Sequence, residues 1–83
     1  MKLVYFAWVR ERIGLESEEV TLPATVRTTR QLIDWLKTRG PGYEFAMAEP
    51  RVLRVAVDKV HASGDVPIGD AREVAIFPPM TGG

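Results

Sequence analysis

Two consecutive glycines, Gly82 and Gly83, follow the segment Phe77-Pro78-Pro79-Met80-Thr81 at the end of the sequence. Neither glycine has a Cβ atom, so the pair can enter a channel that is too narrow for other residues. We therefore expect the terminal carboxylate of Gly83 to be a reacting group, presented to an enzyme that closes around the tail. Because chain ends are often frayed, an incidental glycine pair is the alternative.

The two prolines of this segment indicate how the carboxylate would be held away from the rest of the chain. Pro78 and Pro79 favour a stiff, extended backbone and cannot donate to a β-ladder. We predict that residues 1–77 form the folded domain. Residues 78–83, which include Met80, Thr81 and Gly82, are predicted to form an extended tail.

The composition indicates one small domain with its own apolar core. Hydrophobic residues make up 46% of the 83 residues, which makes a packed core feasible. Basic and acidic residues number 11 each and give a formal net charge of zero, which argues against binding to nucleic acid or an anionic membrane. Cysteine is absent, so thiolate metal sites and a cysteine nucleophile are excluded. The apolar stretch 3–9 is too short to span a bilayer and no small-residue cleavage site follows it, so we expect a cytoplasmic protein.

Two β-strands are predicted before the first helix. Residues 3–9 are rich in β-formers and apolar on both alternating faces, which is typical of a strand covered on both sides. Residues 10–17 would form a connection. Residues 18–22 would form a second strand that Pro23 stops, giving an N-terminal hairpin.

The spacing of Thr28 and Gln31 predicts a capping box and therefore the start of a helix. An apolar stripe at helical spacing follows it, in which Trp35 is expected to be a core residue: Leu32, Ile33, Trp35 and Leu36. Gly40 is expected to cap the end of this helix, and Pro41 to prevent its continuation.

The second half of the sequence predicts one more helical turn over residues 43–48 and two further strands. Residues 52–57 would form the third strand, and residues 58–70 a turn-rich segment with a short edge strand near Val60. Residues 72–77 would form the last strand. This order predicts an α+β fold in which a mixed sheet of four to five strands carries one main helix on one face.

The other face of such a sheet is expected to be open, because a single helix covers only one side. Leu3, Tyr5 and Ala7 would face the helix. The partner-binding candidates on the uncovered face are Val4, Phe6, Trp8 and Phe77. An open, aromatic-rich surface beside a projecting tail is typical of a docking site, although loops or dimerisation are alternative covers.

The remaining polar candidates favour structural roles. His61 is the only histidine and, without a second ligand, is expected in an exposed turn rather than in a metal site. Asp58, Asp65 and Asp70 lie in turn-forming sequence and are expected to cap turns rather than to act as paired acids. No glycine-rich phosphate loop precedes the helix, so we expect nucleotide to be bound by a partner.

Residues 73–83 combine a strand, a double proline and a glycine pair. Together with residues 4–7, 10–11 and 55–58, they resemble the small, sulfur-carrier subunits of molybdopterin synthase, a family of ubiquitin-like β-grasp proteins. The sequence departs from the family at Trp8, where polar residues are common, and at Asp58, where asparagine is frequent.

The resemblance implies a β-grasp fold in which the first and last strands lie parallel at the centre of the sheet. Phe6 and Phe77 would then be neighbours, and in the family aromatic residues at these positions contact the large synthase subunit. Trp8 would widen that contact or pack on a loop.

The resemblance also implies the chemistry of the tail. A partner similar to ubiquitin-activating enzymes would join the Gly83 carboxylate to AMP, using ATP and Mg²⁺, and a sulfur donor protein would convert the adenylate to a thiocarboxylate. The large subunit would transfer this sulfur to the pterin precursor. Each dithiolene needs two sulfurs, which implies two carriers and a heterotetramer with two of each chain. This chain would bind no cofactor itself and, as the non-catalytic subunit, would have no active site of its own.

Three other functions fit the same pattern. The chain would be a sulfur carrier for another pathway such as thiamine synthesis, a ubiquitin-like modifier of lysines, or an interaction module with an inert tail. The identity of the partner distinguishes a carrier for another pathway and a lysine modifier from a synthase subunit. The mass of the chain after activation distinguishes a sulfur carrier from an interaction module with an inert tail.

Overall fold

The structure, a computed structural model, describes residues 1–79. In chain order its elements are β1 (Lys2–Tyr5), α1 (Ala7–Ile13), β2 (Ser17–Glu19), α2 (Thr29–Lys37), α3 (Pro41–Ala46), a 3-10 helix (Pro50–Val52), β3 (Arg54–Val57), β4 (Val60–Ala62) and β5 (Glu73–Phe77). Within this part of the chain, no helix is long and apolar enough to cross a bilayer.

The five strands form one mixed sheet in the order β2-β1-β5-β3-β4. β1 and β5 lie side by side and parallel, with Leu3 opposite Val74 and Tyr5 opposite Ile76. The other three pairings are antiparallel. The predicted α+β fold, with its first and last strands parallel at the centre, is confirmed.

The core lies on one face of this sheet. Alternation along β1 and β5 buries Leu3, Tyr5, Val74 and Ile76 completely, because successive side chains of a strand point to opposite faces. They join one apolar cluster with buried residues of the helices, including Leu32 and Leu36 of α2. Trp35, which was expected in the core, is only partly buried and packs against this cluster from outside.

The predicted first strand is too long, because β1 ends at Tyr5 and a helix follows. Ala7 adopts a left-handed φ of 51°, which turns the chain out of the sheet into α1. Val9 is then buried on the inner side of α1, and Gly14, at φ 89°, caps it with a bond to the carbonyl of Arg10. The assignment of residues 3–9 to one strand was wrong because a short apolar segment fits both a buried strand and a buried helix turn. Ala7 and Trp8 therefore do not lie on a strand, and residues 10–13 are not a connection.

The predicted start of α2 is confirmed. The Thr28 hydroxyl accepts a hydrogen bond from the Gln31 amide at 3.3 Å, while the Gln31 side chain accepts one from the Arg27 amide at 2.8 Å. The Asp65 carboxylate also accepts from the Arg30 amide at 3.0 Å. This bond lowers the pKa of Asp65, as expected for a carboxylate at the positive end of a helix. The predicted capping role of Asp65 is thus confirmed.

The expected role of Gly40 is wrong. α2 ends at Lys37 with Thr38 as its C-cap, and Gly40 is instead the N-cap of α3, with Pro41 in the first turn. Proline is as suited to the first turn of a helix as to the stop after one. The pair Gly40 and Pro41 therefore predicts a helix boundary, but it does not distinguish the end of α2 from the start of α3.

The bounds of three strands and the place of His61 also differ from the prediction. β2 covers only Ser17–Glu19, and β5 begins at Glu73. β3 begins at Arg54, because a 3-10 helix over Pro50–Val52 occupies the start of the predicted strand. His61 lies in β4 rather than in a turn.

Asp58 lies in the turn between β3 and β4 and has a capping role, as predicted, but it caps the start of β5 rather than its own turn. It adopts a left-handed φ of 48°, which short polar side chains tolerate. Its carboxylate accepts hydrogen bonds from the amides of Arg72 and Glu73, both at 2.9 Å. The start of β5 is thereby held beside the end of β3.

Candidate functional site

Small and apolar residues form the middle of the sheet face opposite the core, while charged residues of the same strands lie toward its ends. The strand registers place Val4, Ala75, Ala56 and His61 in one row across four strands. The two alanines make the middle of this row flat, and Val4 lies on it as predicted. We call this side of the sheet the open face.

Two phenylalanine rings meet at one end of the open face. The ring centroids of Phe6 and Phe77 are 6.4 Å apart and the rings are nearly perpendicular, at 87°, an arrangement that the aromatic quadrupole favours. Phe6 follows β1, and its amide donates to the carbonyl of Ile76 at 3.2 Å. Phe6 remains 47% exposed, so about half of its surface is available for contact.

An apolar groove runs from these rings to the start of the tail. Its lining, which we call the tail-base groove, consists of Phe6, Ala7, Trp8, Val52, Phe77, Pro78 and Pro79. Trp8 reaches the groove from α1 and not from a strand. Of the four predicted partner-binding residues, the structure brings Phe6, Trp8 and Phe77 together here, whereas Val4 lies further along the open face.

Val52 is a groove residue that sequence reasoning missed. It was assigned to the third strand, but it ends the 3-10 helix and is 36% exposed. The proline at position 50 was the available signal, since proline favours the first turn of a helix.

The tail leaves the sheet at the end of β5. β5 stops at Phe77, and Pro78 and Pro79 follow it as the last described residues. Met80, Thr81, Gly82 and Gly83 lie outside the described residues. The proposed reacting carboxylate and the boundary between domain and tail therefore stay predictions.

His61 lies on the open face beside the groove. Its ring centroid is 6.3 Å from that of Phe77, with the planes tilted by 58°. Among residues 1–79 no three histidine or carboxylate side chains converge as a metal site would require.

A polar network fastens the other side of the sheet to the helices. Both the Tyr5 hydroxyl, at 2.7 Å, and the Tyr43 hydroxyl, at 2.8 Å, donate to Oε2 of Glu18. Arg39 donates from Nη1 to Oε1 of Glu18 at 3.0 Å. One carboxylate thus joins β1, β2, the residues after α2, and α3.

Burial and hydrogen bonding act in opposite directions on Glu18. Burial raises the pKa of this carboxyl, but the bonds from Tyr5, Tyr43 and Arg39 outweigh it and the pKa is lowered overall. Burial, and then the bond to Glu18, raises the pKa of both Tyr5 and Tyr43. The network is therefore a charged acceptor with neutral phenol donors, which stabilises the fold rather than supplying a proton.

A five-stranded mixed sheet with parallel central strands and helices on one face defines the ubiquitin-like β-grasp class. The family model described as the ThiS family matches residues 3–83, and the chain belongs to this family.

Curated relatives align over the whole chain. The molybdopterin synthase sulfur carrier subunit of Escherichia coli (strain K12) is 35% identical over 83 residues, covering 100% of this chain and 99% of the relative. The protein of the same name from Dictyostelium discoideum is 34% identical over 82 residues, covering 99% of this chain and 94% of the relative. The predicted resemblance to molybdopterin synthase sulfur carriers is confirmed.

Solved structures agree with the fold. A putative molybdopterin converting factor subunit 1 from Pyrococcus furiosus superposes with a TM-score of 0.74 at 31% identity, covering 95% of each chain. SAMP1 from Haloferax volcanii superposes with a TM-score of 0.70, covering 100% of this chain and 98% of the other. At 24% identity the second likeness shows the fold alone.

Proposed function

We propose that this chain is the sulfur carrier subunit of molybdopterin synthase, and that it carries sulfur as a thiocarboxylate on Gly83. The observation that supports this most directly is the tail-base groove, an apolar surface with three aromatic side chains where the chain departs toward its glycine pair. Relatives that bear this name align from end to end with the chain.

Activation comes first, because a carboxylate resists nucleophilic attack. In the proposed step an oxygen of the Gly83 carboxylate attacks the α-phosphorus of ATP and pyrophosphate leaves, giving a mixed anhydride with AMP. ATP and Mg²⁺ are bound by an adenylyltransferase partner that resembles ubiquitin-activating enzymes. A sulfide-level nucleophile from the sulfur donor then attacks the carbonyl and AMP leaves, so that one oxygen is replaced by sulfur. Gly83 is a substrate group that is consumed and regenerated, not a catalytic side chain.

Docking follows activation. In this proposal Phe6, Phe77, Trp8 and Val4 contact the large synthase subunit while the tail enters its active site. Pro78 and Pro79 keep the tail directed away from the sheet, and Gly82 and Gly83 pass where a Cβ atom would not fit. Since a dithiolene holds two sulfurs, two carriers serve one product, which suits a heterotetramer.

Intact-mass analysis tests the activation step. The chain is incubated with its adenylyltransferase, ATP, Mg²⁺ and sulfide, and its mass is expected to rise by the difference between sulfur and oxygen. Omission of ATP is the control and should leave the mass unchanged. An unchanged mass in the full reaction contradicts the proposal and favours an inert-tail interaction module. A ladder of conjugates on other proteins would instead indicate a lysine modifier, and sulfur transfer only to a thiazole precursor a thiamine carrier.

A further inference from the structure

Arg12 contacts two aromatic rings outside the core. Its guanidinium carbon lies 4.2 Å from the ring centroid of Trp8 and 4.0 Å from that of Phe45. Nη1 of Arg12 also donates to the Phe45 carbonyl oxygen at 3.4 Å. Trp8 and Arg12 are four residues apart on α1, and such residues share one face of a helix. The guanidinium therefore links the Trp8 ring on α1 to the Phe45 ring on α3.

The backbone around Arg12 is held in place by close packing between these two helices. A Cβ atom on Gly42 of α3 would lie only 2.6 Å from the Arg12 carbonyl oxygen, so the helices approach as closely as a glycine allows. α1 has only seven residues, and a helix this short gains most of its stability from packing. The backbone of Arg12, from which its side chain extends, is thus fixed relative to Phe45 on α3.

The two rings that Arg12 contacts differ in how they meet the core. Phe45 is 58% exposed, although a large aromatic side chain gains most from burial. The indole of Trp8, in contrast, packs against the core on one side and lines the tail-base groove. The ring that Arg12 contacts is therefore also a wall of the groove, while Arg12 itself does not line it.

We propose that Arg12 is a positioning residue that holds the Trp8 indole as a wall of the tail-base groove. Partner docking then depends on Arg12 through Trp8, and the partner presents an apolar surface to that indole. This inference rests on the proposed function, since it takes the docking partner to be the large synthase subunit. The Phe45 ring contributes to this positioning because it contacts the Arg12 guanidinium as well.

A double-mutant cycle tests the docking part. Arg12→Met keeps the length of the side chain but removes the cation and its hydrogen bond. Isothermal titration with the large subunit encoded in the same genome should show about fivefold weaker binding, the loss expected for one partly exposed cation–π contact. In a Trp8→Ala background the same change should have no effect, and Arg12→Lys should restore part of the affinity. Tm values identify any variant that binds weakly because it is unfolded.

The order of the Trp8 indole N–H, measured by NMR relaxation, tests the positioning part without a partner. Arg12→Met and Phe45→Ala should both lower its order parameter, whereas Arg51→Met, a matched change at an exposed arginine, should not. An unchanged order parameter overturns the proposal, as does an equal loss of affinity in both backgrounds, which would mean that Arg12 contacts the partner directly. If the unaltered chain does not bind the large subunit, the proposed function fails and takes this inference with it. If it binds and the cycle shows no coupling, only the inference fails.

Discussion

The two faces of the sheet differ in what their residues do. On the core face Leu3, Tyr5, Val74 and Ile76 are completely buried. On the open face their immediate neighbours Val4, Ala75 and Phe77 are only partly buried. In the proposed account, adjacent residues of one strand serve stability and docking separately, so that changes on the open face should leave the fold intact.

The largest expected effect is at the end of the tail. Gly83→Val should abolish sulfur transfer, because the added side chain blocks entry into the partner, while Tm stays within a few degrees of that of the unaltered chain. Transfer to the precursor is followed together with thermal unfolding. Gly69→Val is a matched control, because a Cβ there meets nothing within 4 Å, and it should keep full transfer. Retained transfer in Gly83→Val would count against the narrow-channel account.

Neighbouring residues of β5 should separate stability from docking. Ile76→Ala removes a completely buried side chain and should cost about 2–5 kcal/mol of unfolding free energy. Phe77→Ala, one residue along and on the open face, should cost less stability but more affinity for the large subunit. Urea unfolding and titration on both variants give the two values. A greater loss of stability in Phe77→Ala would show that the open face belongs to the core.

The Glu18 network should make stability depend on acid pH. Glu18→Gln should lower the free energy of unfolding at neutral pH by about 1.5–3 kcal/mol, the range for hydrogen bonds to a charged group. Because the folded pKa of Glu18 is lowered, its contribution is fully present above the ordinary glutamate pKa. It is lost as pH falls through the folded value. Unfolding measured from neutral to strongly acid pH should show the two proteins converging, and a constant difference would contradict this assignment.

The smallest effect is expected at the edge of the open face. His61 is exposed, so His61→Ala should change the unfolding free energy by no more than about 0.5 kcal/mol. If the docking surface reaches β4, affinity for the large subunit should fall, but by less than in Phe77→Ala. Equal affinity to the unaltered chain would place the edge of the contact at β5.

The alternation of apolar side chains predicted the two faces of the central strands correctly. It failed where the chain leaves the sheet after Tyr5. Val74 and Ile76 were assigned correctly because β5 is a regular strand whose two faces differ. The stretch after Tyr5 was misassigned because the left-handed φ of Ala7 has no signature in its side chain. Val9 is buried in the helix just as it would be in a strand, so its apolar character did not distinguish them.

The candidate site was only partly visible in the sequence for a related reason. Phe6 and Phe77 were recognisable because Phe6 directly follows β1 and Phe77 ends β5, the two parallel central strands. Trp8 was named for the wrong reason, since it comes to the groove on a helix. Val52 was missed although Pro50 carried a local signal for the 3-10 helix. The contact between Arg12 and Phe45 depends on how two separate helices meet, which no local pattern encodes.

Single-turnover transfer from the thiocarboxylated chain tests the central claim most directly. The purified thiocarboxylate is mixed with the large subunit and the pterin precursor, and the mass of the carrier is followed together with the dithiolene product. The account predicts that two carriers return to the free carboxylate for each product formed. Product that appears while the carrier mass stays constant, or that forms equally well from a chain lacking Gly83, would contradict it.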